Sequence, residues 1–306
     1  MKVLHGIEAL GELPDGGALS IGNFDGVHAG HRAIIDAMRR ERDVASVVTF
    51  EPHPATVLRP GQAPPRLTLP EMKREKLEAA GVTHLVELSP SPEVTGLTAE
   101  QFWHRLRDDA RPAAIFEGAN FRFGKQAAGD VAQLKQWASQ TDITVNVVDQ
   151  VSMRLPNLHE AAVSSTLVRW MLLRGRVCDA AALLGEAYVL RGRVVRGYQR
   201  GRTIGFPTAN LDTGDQLLPM DGVYAATAII DGERHAAALS VGVTPTFDGE
   251  RRQAEAYLLN FDGDLYGQTI DVTLRAWVRG QMKFSGVDAL VGQLKRDVEF
   301  VDVSAR

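Results

Sequence analysis

Residues 18–31 read ALSIGNFDGVHAGH, and the fold of the first half of the chain follows from this stretch. Ala18 to Gly22 is apolar enough for a buried strand, and a glycine-rich turn follows it. Ile34, Ile35 and Met38 then recur at the spacing of a helix from about 31 to 42. A strand that passes through a tight turn into a helix starts a crossover unit, so we predict a parallel sheet.

The alternation of strand and helix continues to residue 148 and then changes. Further strands are expected at 44–50, 84–88, 113–116 and 144–148, and further helices at 71–80, 98–109, 131–140, 165–174 and 178–184. Beyond Gly185, short strand-like segments are separated by Gly, Pro and Asp turns, which is typical of a compact antiparallel barrel. We therefore predict an α/β domain over 1–186 and a small β-barrel domain over 187–306 that ends in an amphipathic helix.

Composition excludes several classes of protein. The 306 residues are 44% hydrophobic and 24% charged with a net charge of −4, which fits a globular protein and argues against a bulk nucleic-acid binder. The single Cys178 excludes an intramolecular disulfide and favours a cytoplasmic location. Since no stretch approaches the roughly 18 apolar residues of a spanning helix, we expect no membrane partner. Small molecules are the expected partners, and the chain is expected to be a monomer or weak homo-oligomer.

Several common motifs are missing. Gly124-Lys125 lacks the upstream glycine of a Walker A loop, and no G-x-G-x-x-G follows a strand. The sequence Ala-Leu-Ser-x-Gly occurs at 18–22 and 238–242, but a nucleophile elbow needs a glycine in first place. Both stretches are therefore interpreted as strand ends.

His28 and His31 are three residues apart at the predicted start of a helix. In the first helical turn they face the same way, beside free backbone N–H groups and the positive helix end. Gly26 and Gly30 leave room for a phosphate near the backbone. Donors arranged in this way can stabilise the charge that develops on an α-phosphate during nucleotidyl transfer. A turn with packing histidines is the alternative, but the order of strand, turn, histidine pair and helix favours a nucleotide site.

The motif G-x-F-D-G-V-H-x-G-H at 22–31 resembles the adenylyltransferase module of bacterial bifunctional riboflavin kinase/FAD synthetases, and more broadly the H-x-G-H nucleotidyltransferases. The segments TFEPHP at 49–54, GANFRFG at 118–124 and VSSTLVR at 163–169 are also similar to that family. The resemblance implies a Rossmann-like nucleotidyltransferase domain that binds ATP and FMN.

The resemblance also implies roles for individual residues of this domain. His28 and His31 are expected to be catalytic, and ATP is expected at Gly22, Asn23, Phe24, Asp25, Gly26, Ser164, Ser165, Thr166 and Arg169. FMN is expected at His53, Asn120, Phe121, Arg122 and Phe123. Taken alone, the Ser-Ser-Thr run is typical of a helix N-cap and the phenylalanines of a buried strand end. His53 stays open between a nucleotide contact and a structural role.

The stretch GRTIGFPTAN at 201–210 resembles the riboflavin kinase signature. Spacing alone would favour a loop with a side-chain turn, although Thr208 and Asn210 alternate and both offer oxygens that suit Mg²⁺. The resemblance implies that these two residues hold Mg²⁺ and the phosphates of ATP. The remaining ATP contacts that it implies are Gly201, Arg202, Thr203, Gly205 and Pro207.

Glu255 precedes the sequence Asp-Gly-Asp-Leu-Tyr-Gly at 262–267, as the catalytic glutamate of the kinase family does. As a general base it would take the proton of the ribityl hydroxyl of riboflavin. Arg279, Lys283 and Phe284 match the family pattern R-x-E-x-K-F and are expected to bind flavin, but Gln281 replaces the acid. Tyr257 stands where many members have His.

The sequence therefore predicts an enzyme with two activities. It would phosphorylate riboflavin to FMN and adenylylate FMN to FAD with release of pyrophosphate, using ATP and Mg²⁺. Two alternatives remain at this point. In the first, only one activity is retained and the kinase module is weakened at Gln281; in the second, the chain binds flavin without turnover.

Overall fold

A computed structural model of the chain describes residues 1–155, 160–197, 204–246 and 249–304. These residues divide into two compact units, and each is considered by itself. The first comprises 1–153 and 160–163, and the second comprises 154–155 and the described residues from 164 on. In the described ranges, no helix has the length and apolar character needed to cross a membrane.

The first unit is an α/β domain built on a parallel sheet, as predicted, and the sheet has six strands. In chain order its strands are β1 Lys2–His5, β2 Ala18–Ile21, β3 Ala45–Phe50, β4 His84–Leu88, β5 Ala114–Gly118, β6 Arg122–Phe123, β7 Gly129–Asp130, β8 Thr144–Val148, β9 Ser152–Arg154 and β10 Glu160–Ala162. Its helices are α1 Ala29–Glu41, α2 Ala55–Leu58, α3 Pro70–Ala79, α4 Pro92–Thr95, α5 Ala99–Arg105 and α6 Val131–Ala138, with single turns at Ile7–Glu12, Leu106–Ala110 and Lys125–Ala127. The six-stranded sheet has the order β1-β4-β3-β2-β5-β8.

The apolar runs form the centre of this sheet. All four residues of β2 are buried, because β3 and β5 flank it and helices cover the sheet. Strand β1 was not predicted: only Val3 and Leu4 are apolar there, and the strand pairs with β4 alone at the edge of the sheet. The chain moves from β2 through β3 to β4 and then returns to the other side of β2 for β5. The loops after β2 and β5 therefore diverge at a topological switch point, where open α/β sheets bind ligands.

The second unit contains the predicted closed antiparallel barrel, with strand order β11-β12-β15-β14-β13-β16. Its strands are β11 Val189–Val195, β12 Ala209–Asp212, β13 Gly222–Ile230, β14 Glu233–Thr246, β15 Gly249–Leu258 and β16 Thr269–Arg279. Its helices are α7 Ser165–Leu172, α8 Val177–Leu184 and the terminal helix α9 Val287–Ser304. Strand β12 was expected only as an extended segment of the 201–210 loop. Val298 and Val301 of α9 pack on the outside of the barrel against Ala225 and Leu259.

Helices α7 and α8 pack on this barrel. The N–H of Met220 donates to the carbonyl of Leu172 at 2.9 Å. Gly175 has a φ of +71° in the turn between the two helices, and a Cβ there would stand 2.6 Å from the ring of Trp277. Gly175 is therefore required both for the positive φ of the turn and for the close approach of the backbone to Trp277. The division into functional domains at residue 186 stays a prediction.

Candidate active sites

The loop between β2 and α1 holds a strained backbone in a fixed shape. Phe24, Gly26 and Val27 have φ values of 48°, 84° and 42°. Positive φ costs roughly 1–3 kcal/mol for a residue with a side chain, and a β-branched valine tolerates it poorly. The side chains of Phe24 and Val27 are 1% and 0% exposed and pack in one cluster with Ile35 and Leu77. Burial of these two side chains therefore holds the loop in its strained shape.

Asp25 ties the same loop to residues 67 and 68. Its carboxylate accepts the backbone N–H of Leu67 at 2.9 Å, and the N–H and hydroxyl of Thr68 at 3.1 Å each. The N–H of Gly26 donates in turn to the Thr68 hydroxyl at 3.3 Å. Asp25 is 8% exposed, and its carboxylate acts as a buried acceptor that stabilises the conformation of the loop. A contact between Asp25 and ATP stays a prediction.

The two histidines stand together at the N-terminus of α1. His28 is the N-cap, and its Nδ1 accepts the backbone N–H of His31 at 3.3 Å. The two rings stack with 3.7 Å between centroids and 13° between planes. A Cβ at Gly30 would stand 3.2 Å from the His28 ring, so the absence of a side chain at residue 30 allows the ring to occupy this position. Since Nδ1 of His28 accepts a hydrogen bond, the ring proton lies on Nε2, which can donate to a ligand.

His31 is electrically neutral at physiological pH. Burial is the main cause that holds its pKa well below the usual 6.5, and the neighbouring His28 imidazole and Lys73 ammonium disfavour its protonation further. Its Nδ1 is closed off from solvent and has no hydrogen-bond partner among the residues described. An unpartnered polar atom of this kind beside a helix N-terminus fits a site that is completed by a ligand. Gly22 and Asn23 lie at the entrance of the loop, where their backbone groups bond to β3 residues Val48 and Thr49.

Two charged residues beside this loop were not predicted. Lys73 is 4% exposed; its Nζ lies 3.0 Å from the carboxylate of Glu51 and donates to the carbonyl of Phe50 at 3.2 Å. Glu117, at the end of β5, is 2% exposed and accepts the N–H of Ile21 at 2.7 Å. Burial raises the pKa of Glu117 well above 4.5. Neither position carries a local sequence signal, because only the fold brings Lys73 to β3 and Glu117 to β2.

The predicted FMN residues divide into core and surface. Phe123 is 6% exposed and packs with Phe102 and Trp137 in the main core, while Phe121 stacks on it with 5.5 Å between centroids and stays partly accessible. Asn120 and Arg122 are exposed, and the Arg122 guanidinium lies 3.0 Å from Asp130. His53 Nδ1 accepts the N–H of Ala55 at 3.0 Å at the start of α2. Of the two phenylalanines, Phe121 is the more accessible, and a flavin contact at either one stays a prediction.

The predicted phosphate residues at 164–169 belong to the second unit. Ser164 caps α7, since its hydroxyl accepts the N–H of Leu167 at 3.2 Å. Ser165 and Arg169 are partly buried, and Thr166 is exposed. The capping role expected from the residues alone is thus present at Ser164, and the ATP contacts of these four residues stay a prediction.

The barrel brings three predicted kinase residues together. The hydroxyl of Thr208 donates to the carboxylate of Glu255 at 3.3 Å. Asn210 on β12 is the direct cross-strand partner of Glu255 on β15, so their side chains share one face of the sheet. A Cβ at Gly197 would overlap the carboxamide of Asn210, so this glycine makes room for it. Gly201, Arg202 and Thr203 lie outside the described residues.

A cavity of about 530 Å³ lies beside Thr208, which is a typical size for a small-molecule site. It is lined by Val194, Pro207, Thr208, Ala209, Ala256, Leu258 and residues 261–266. Asp262 and Asp264 in this lining were not predicted as site residues, although the 262–267 turn was recognised as part of the pattern. Gly205 lies four residues before β12 and has a φ of +83°, which glycine adopts without strain.

The predicted flavin residues at 279–284 follow β16 directly. The guanidinium of Arg279 forms a two-pronged ion pair with Asp297 of α9, with a shortest distance of 2.7 Å. Asp297 is 2% exposed, so the Arg279 guanidinium is held in a buried ion pair that fixes the 279–284 segment to α9. Phe284 lies 5.9 Å from the Arg279 guanidinium, and Lys283 is exposed. Tyr257 packs against Phe206, with 5.3 Å between ring centroids.

Comparison with known proteins covers both units. The FAD synthetase family profile matches residues 12–167, and the riboflavin kinase profile matches residues 184–304. A solved structure from Streptococcus pneumoniae, described as a macrolide-efflux protein, superposes with a TM-score of 0.88 at 32% identity, covering 99% of each chain. The same two-unit fold therefore occurs in a solved structure.

Curated relatives carry both activities in their names. The bifunctional riboflavin kinase/FMN adenylyltransferase of Escherichia coli K12 is 36% identical over 97% of this chain and 96% of its own. The protein of the same name from Listeria monocytogenes is 32% identical over 91% of this chain and 89% of its own. These matches give no support to a chain with only one activity. Because the likeness leaves neither unit out, this chain belongs to the bifunctional riboflavin kinase/FMN adenylyltransferase family and makes FMN from riboflavin and FAD from FMN.

Proposed function

We propose that the two reactions use separate residues, with adenylyl transfer centred on His28 and His31 and phosphorylation centred on Glu255. In adenylyl transfer, an FMN phosphate oxygen attacks the α-phosphorus of ATP and pyrophosphate leaves. Negative charge grows on the α-phosphate oxygens during this step. Nε2–H of His28 and the free N–H groups at the start of α1 would stabilise that charge without a covalent intermediate.

The single observation that carries this assignment is the stacked histidine pair at the N-terminus of α1. Its rings lie at the topological switch point, where the sheet leaves space for a ligand. The neutral His31 would donate a hydrogen bond to a triphosphate oxygen from its unpartnered Nδ1, in the tautomer that carries the proton on that atom. Phe121 would then contribute an accessible aromatic face for the flavin ring.

In the kinase reaction, Glu255 would act as the general base. Its carboxylate takes the proton of the terminal ribityl hydroxyl as that oxygen attacks the γ-phosphorus of ATP, and ADP leaves. The Thr208 hydroxyl, 3.3 Å from the carboxylate, would hold Glu255 in place. The cavity of about 530 Å³ beside Thr208 supplies room for a substrate.

The donors at this site suit Mg²⁺. Within the described ranges, no group of three His, Cys, Asp or Glu side chains forms a metal cluster, so an ion here would depend on neutral oxygens and on phosphates. The Thr208 hydroxyl and the Asn210 carbonyl oxygen are hard ligands of that kind, and Asn210 has space because residue 197 is glycine. When bound, Mg²⁺ would offset the charge of the transferring phosphate.

Two variants test the separation of the sites. His28→Ala should abolish FAD synthesis from FMN and leave riboflavin phosphorylation intact, and Glu255→Ala should do the opposite. Each step is assayed by itself, with FMN or riboflavin supplied and the flavin products separated by chromatography. Loss of both activities in either folded variant would rule out independent sites.

We also propose that the chain works in the cytoplasm as a monomer or weak homo-oligomer. Its single cysteine, Cys178, is exposed and unpaired with another cysteine, which fits a reducing compartment. Light scattering over a tenfold range of concentration measures the oligomeric state. A constant mass of a dimer or larger assembly would contradict the proposal.

A further inference from the structure

A row of polar side chains crosses the barrel at Glu255 and extends beyond the predicted kinase residues. Ser240 on β14 is the direct cross-strand partner of Glu255, on the side opposite to Asn210. Side chains of directly opposed residues share one face with Cβ atoms about 4.5–5.5 Å apart. Asn210, Glu255 and Ser240 therefore form one continuous polar row. Ser240 belongs to the stretch 238–242, which the sequence assigned to a strand end; this was wrong, because β14 continues to Thr246 and the stretch lies within the strand.

Gln281 continues this row from the segment that follows β16. Its carboxamide nitrogen donates to the Ser240 hydroxyl oxygen at 3.2 Å and to the carbonyl oxygen of Val241 at 2.8 Å. Gly242 makes this contact possible, because a Cβ there would stand 2.8 Å from the same nitrogen. One end of the 279–284 segment is thus fixed to α9 by the Arg279–Asp297 ion pair, and Gln281 fixes the next part to β14.

We propose that Gln281 is a positioning residue of the kinase reaction, which clamps the 280–284 segment onto β14 beside Glu255 with Ser240 as its partner. The clamp would hold Lys283 and Phe284 ready to bind riboflavin. This proposal depends on the assignment of Glu255 and of the 279–284 segment to the kinase site.

The chemistry of the two acceptors explains why a glutamine stands here. The Val241 carbonyl can only accept, so it needs a donor at residue 281, and an ionised glutamate has none. A carboxylate at 281 would face the carbonyl oxygen and be repelled by it. Gln281, which stands where the family pattern has an acid, therefore supplies a hydrogen-bond donor that a glutamate would lack. Because Ser240 accepts from Gln281, its own hydrogen stays available for a substrate hydroxyl or the neighbouring carboxylate.

The first test compares Gln281→Glu and Gln281→Met, which keep the length of the side chain and lose the donor. Gln281→Glu loses the bond to Val241, and Gln281→Met loses the bond to Ser240 as well. The KM for riboflavin should therefore rise about tenfold in Gln281→Met, and also in Gln281→Glu, while kcat changes less than about threefold, because the clamp acts on binding. FMN adenylylation should be unchanged, and the nearly constant kcat for riboflavin shows that the barrel is folded. Gln136→Glu, the same change on the exposed face of α6, is the matched control and should leave both KM values as they are.

The second test displaces the clamp without altering Gln281. Gly242→Ala should push the carboxamide away, and since that atom is the end of a flexible side chain, the fold should tolerate the change. Its KM for riboflavin should rise as in Gln281→Met, and the double variant should be no worse than either single one. Ser240→Ala should raise the KM by a smaller factor, since the contact with Val241 remains.

The outcomes separate this inference from the assignment on which it depends. An unchanged KM for riboflavin in both Gln281→Met and Gly242→Ala would overturn the clamp. A fall in kcat at constant KM would overturn it too, because the residue would then act on chemistry and not on positioning. Full kinase activity in Glu255→Ala would instead overturn the assignment of the kinase site, whatever the Gln281 variants do.

Discussion

The Nδ1 atom of His28 accepts the backbone N–H of His31 at 3.3 Å, so one histidine caps the helix that carries the other. This bond fixes the tautomer of His28 and directs its Nε2–H away from the helix backbone. It also places the rings 3.7 Å apart, where protonation of both imidazoles is unfavourable, and burial keeps His31 neutral. Helix capping and the chemistry proposed for the site thus depend on the same ring.

The position of the His28 ring depends on Gly30. A methyl group at residue 30 would stand 3.2 Å from two atoms of that ring and displace it by a few tenths of an ångström. Gly30→Ala should therefore lower kcat/KM for FMN adenylylation about 10- to 100-fold, although alanine is the better helix former. Riboflavin phosphorylation by the same preparation is the internal control. Unchanged adenylylation would show that the exact place of the ring is not important.

Asp25 should matter for stability as much as for catalysis. Asp25→Ala would leave the buried N–H groups of Leu67 and Thr68 without their acceptor, and we expect a loss of about 2–4 kcal/mol in the first unit. Asp25→Asn keeps one acceptor oxygen and should lose less. Pulse proteolysis in urea, with peptides of β2 and β5 followed by mass spectrometry, measures this unit alone. If Asp25→Ala lost adenylylation without any loss of stability, Asp25 would be a direct ligand contact.

The sequence was sufficient to predict which side chains meet when those residues are close neighbours in the chain. The strand, the turn and the histidine pair of 18–31 lie next to one another, so spacing and helix geometry alone brought the two imidazoles together. Thr208 and Asn210 alternate along an extended segment, and the barrel brings both next to Glu255. The pattern also predicted both architectures, since crossover units and dense short strands differ in period.

What the sequence could not show are the partners fixed by tertiary structure. Lys73 lies in a helix rich in charged residues and has the pattern of a solvated position, yet the fold buries it against Glu51. Asp25 stands in a nucleotide motif but turns inward, and Arg279 stands in a flavin motif but is engaged by Asp297, 18 residues later in the chain. In each case a residue far away in sequence determines what the side chain does.

Thr208 provides a test of the kinase site that leaves the general base untouched. Thr208→Val keeps the shape and removes the hydroxyl that donates to Glu255, so we expect kcat for riboflavin phosphorylation to fall about 100-fold. The Mg²⁺ concentration needed for half-maximal rate should rise as well, because an oxygen ligand is lost. Thr208→Ser should restore most of the rate. Thr269→Val, on an exposed position of the same barrel, controls for the substitution itself, and a Thr208→Val enzyme of normal rate would contradict the assignment.

Glu117 should make the first unit less stable as the pH rises. Burial holds its pKa in the folded state well above the 4.5 of an exposed glutamate. Between these two values the folded state keeps a proton that the unfolded state has released, so stability falls with increasing pH by about 1.4 kcal/mol per unit. Above the folded pKa the loss is complete and constant. Glu117→Gln carries no charge in either state, and its carbonyl oxygen can still accept the N–H of Ile21.

The variant should therefore match the natural chain near pH 4 and exceed it in stability by a margin that grows with pH until the folded pKa of Glu117 is passed. The same urea pulse proteolysis of the β2 and β5 peptides, repeated across this range, measures the margin. Glu117→Leu is the matched variant that also removes the acceptor: it should lack the pH dependence and still lose the hydrogen bond to Ile21. Equal stability of Glu117→Gln and the natural chain at every pH would mean that burial does not shift the proton equilibrium of this carboxyl group.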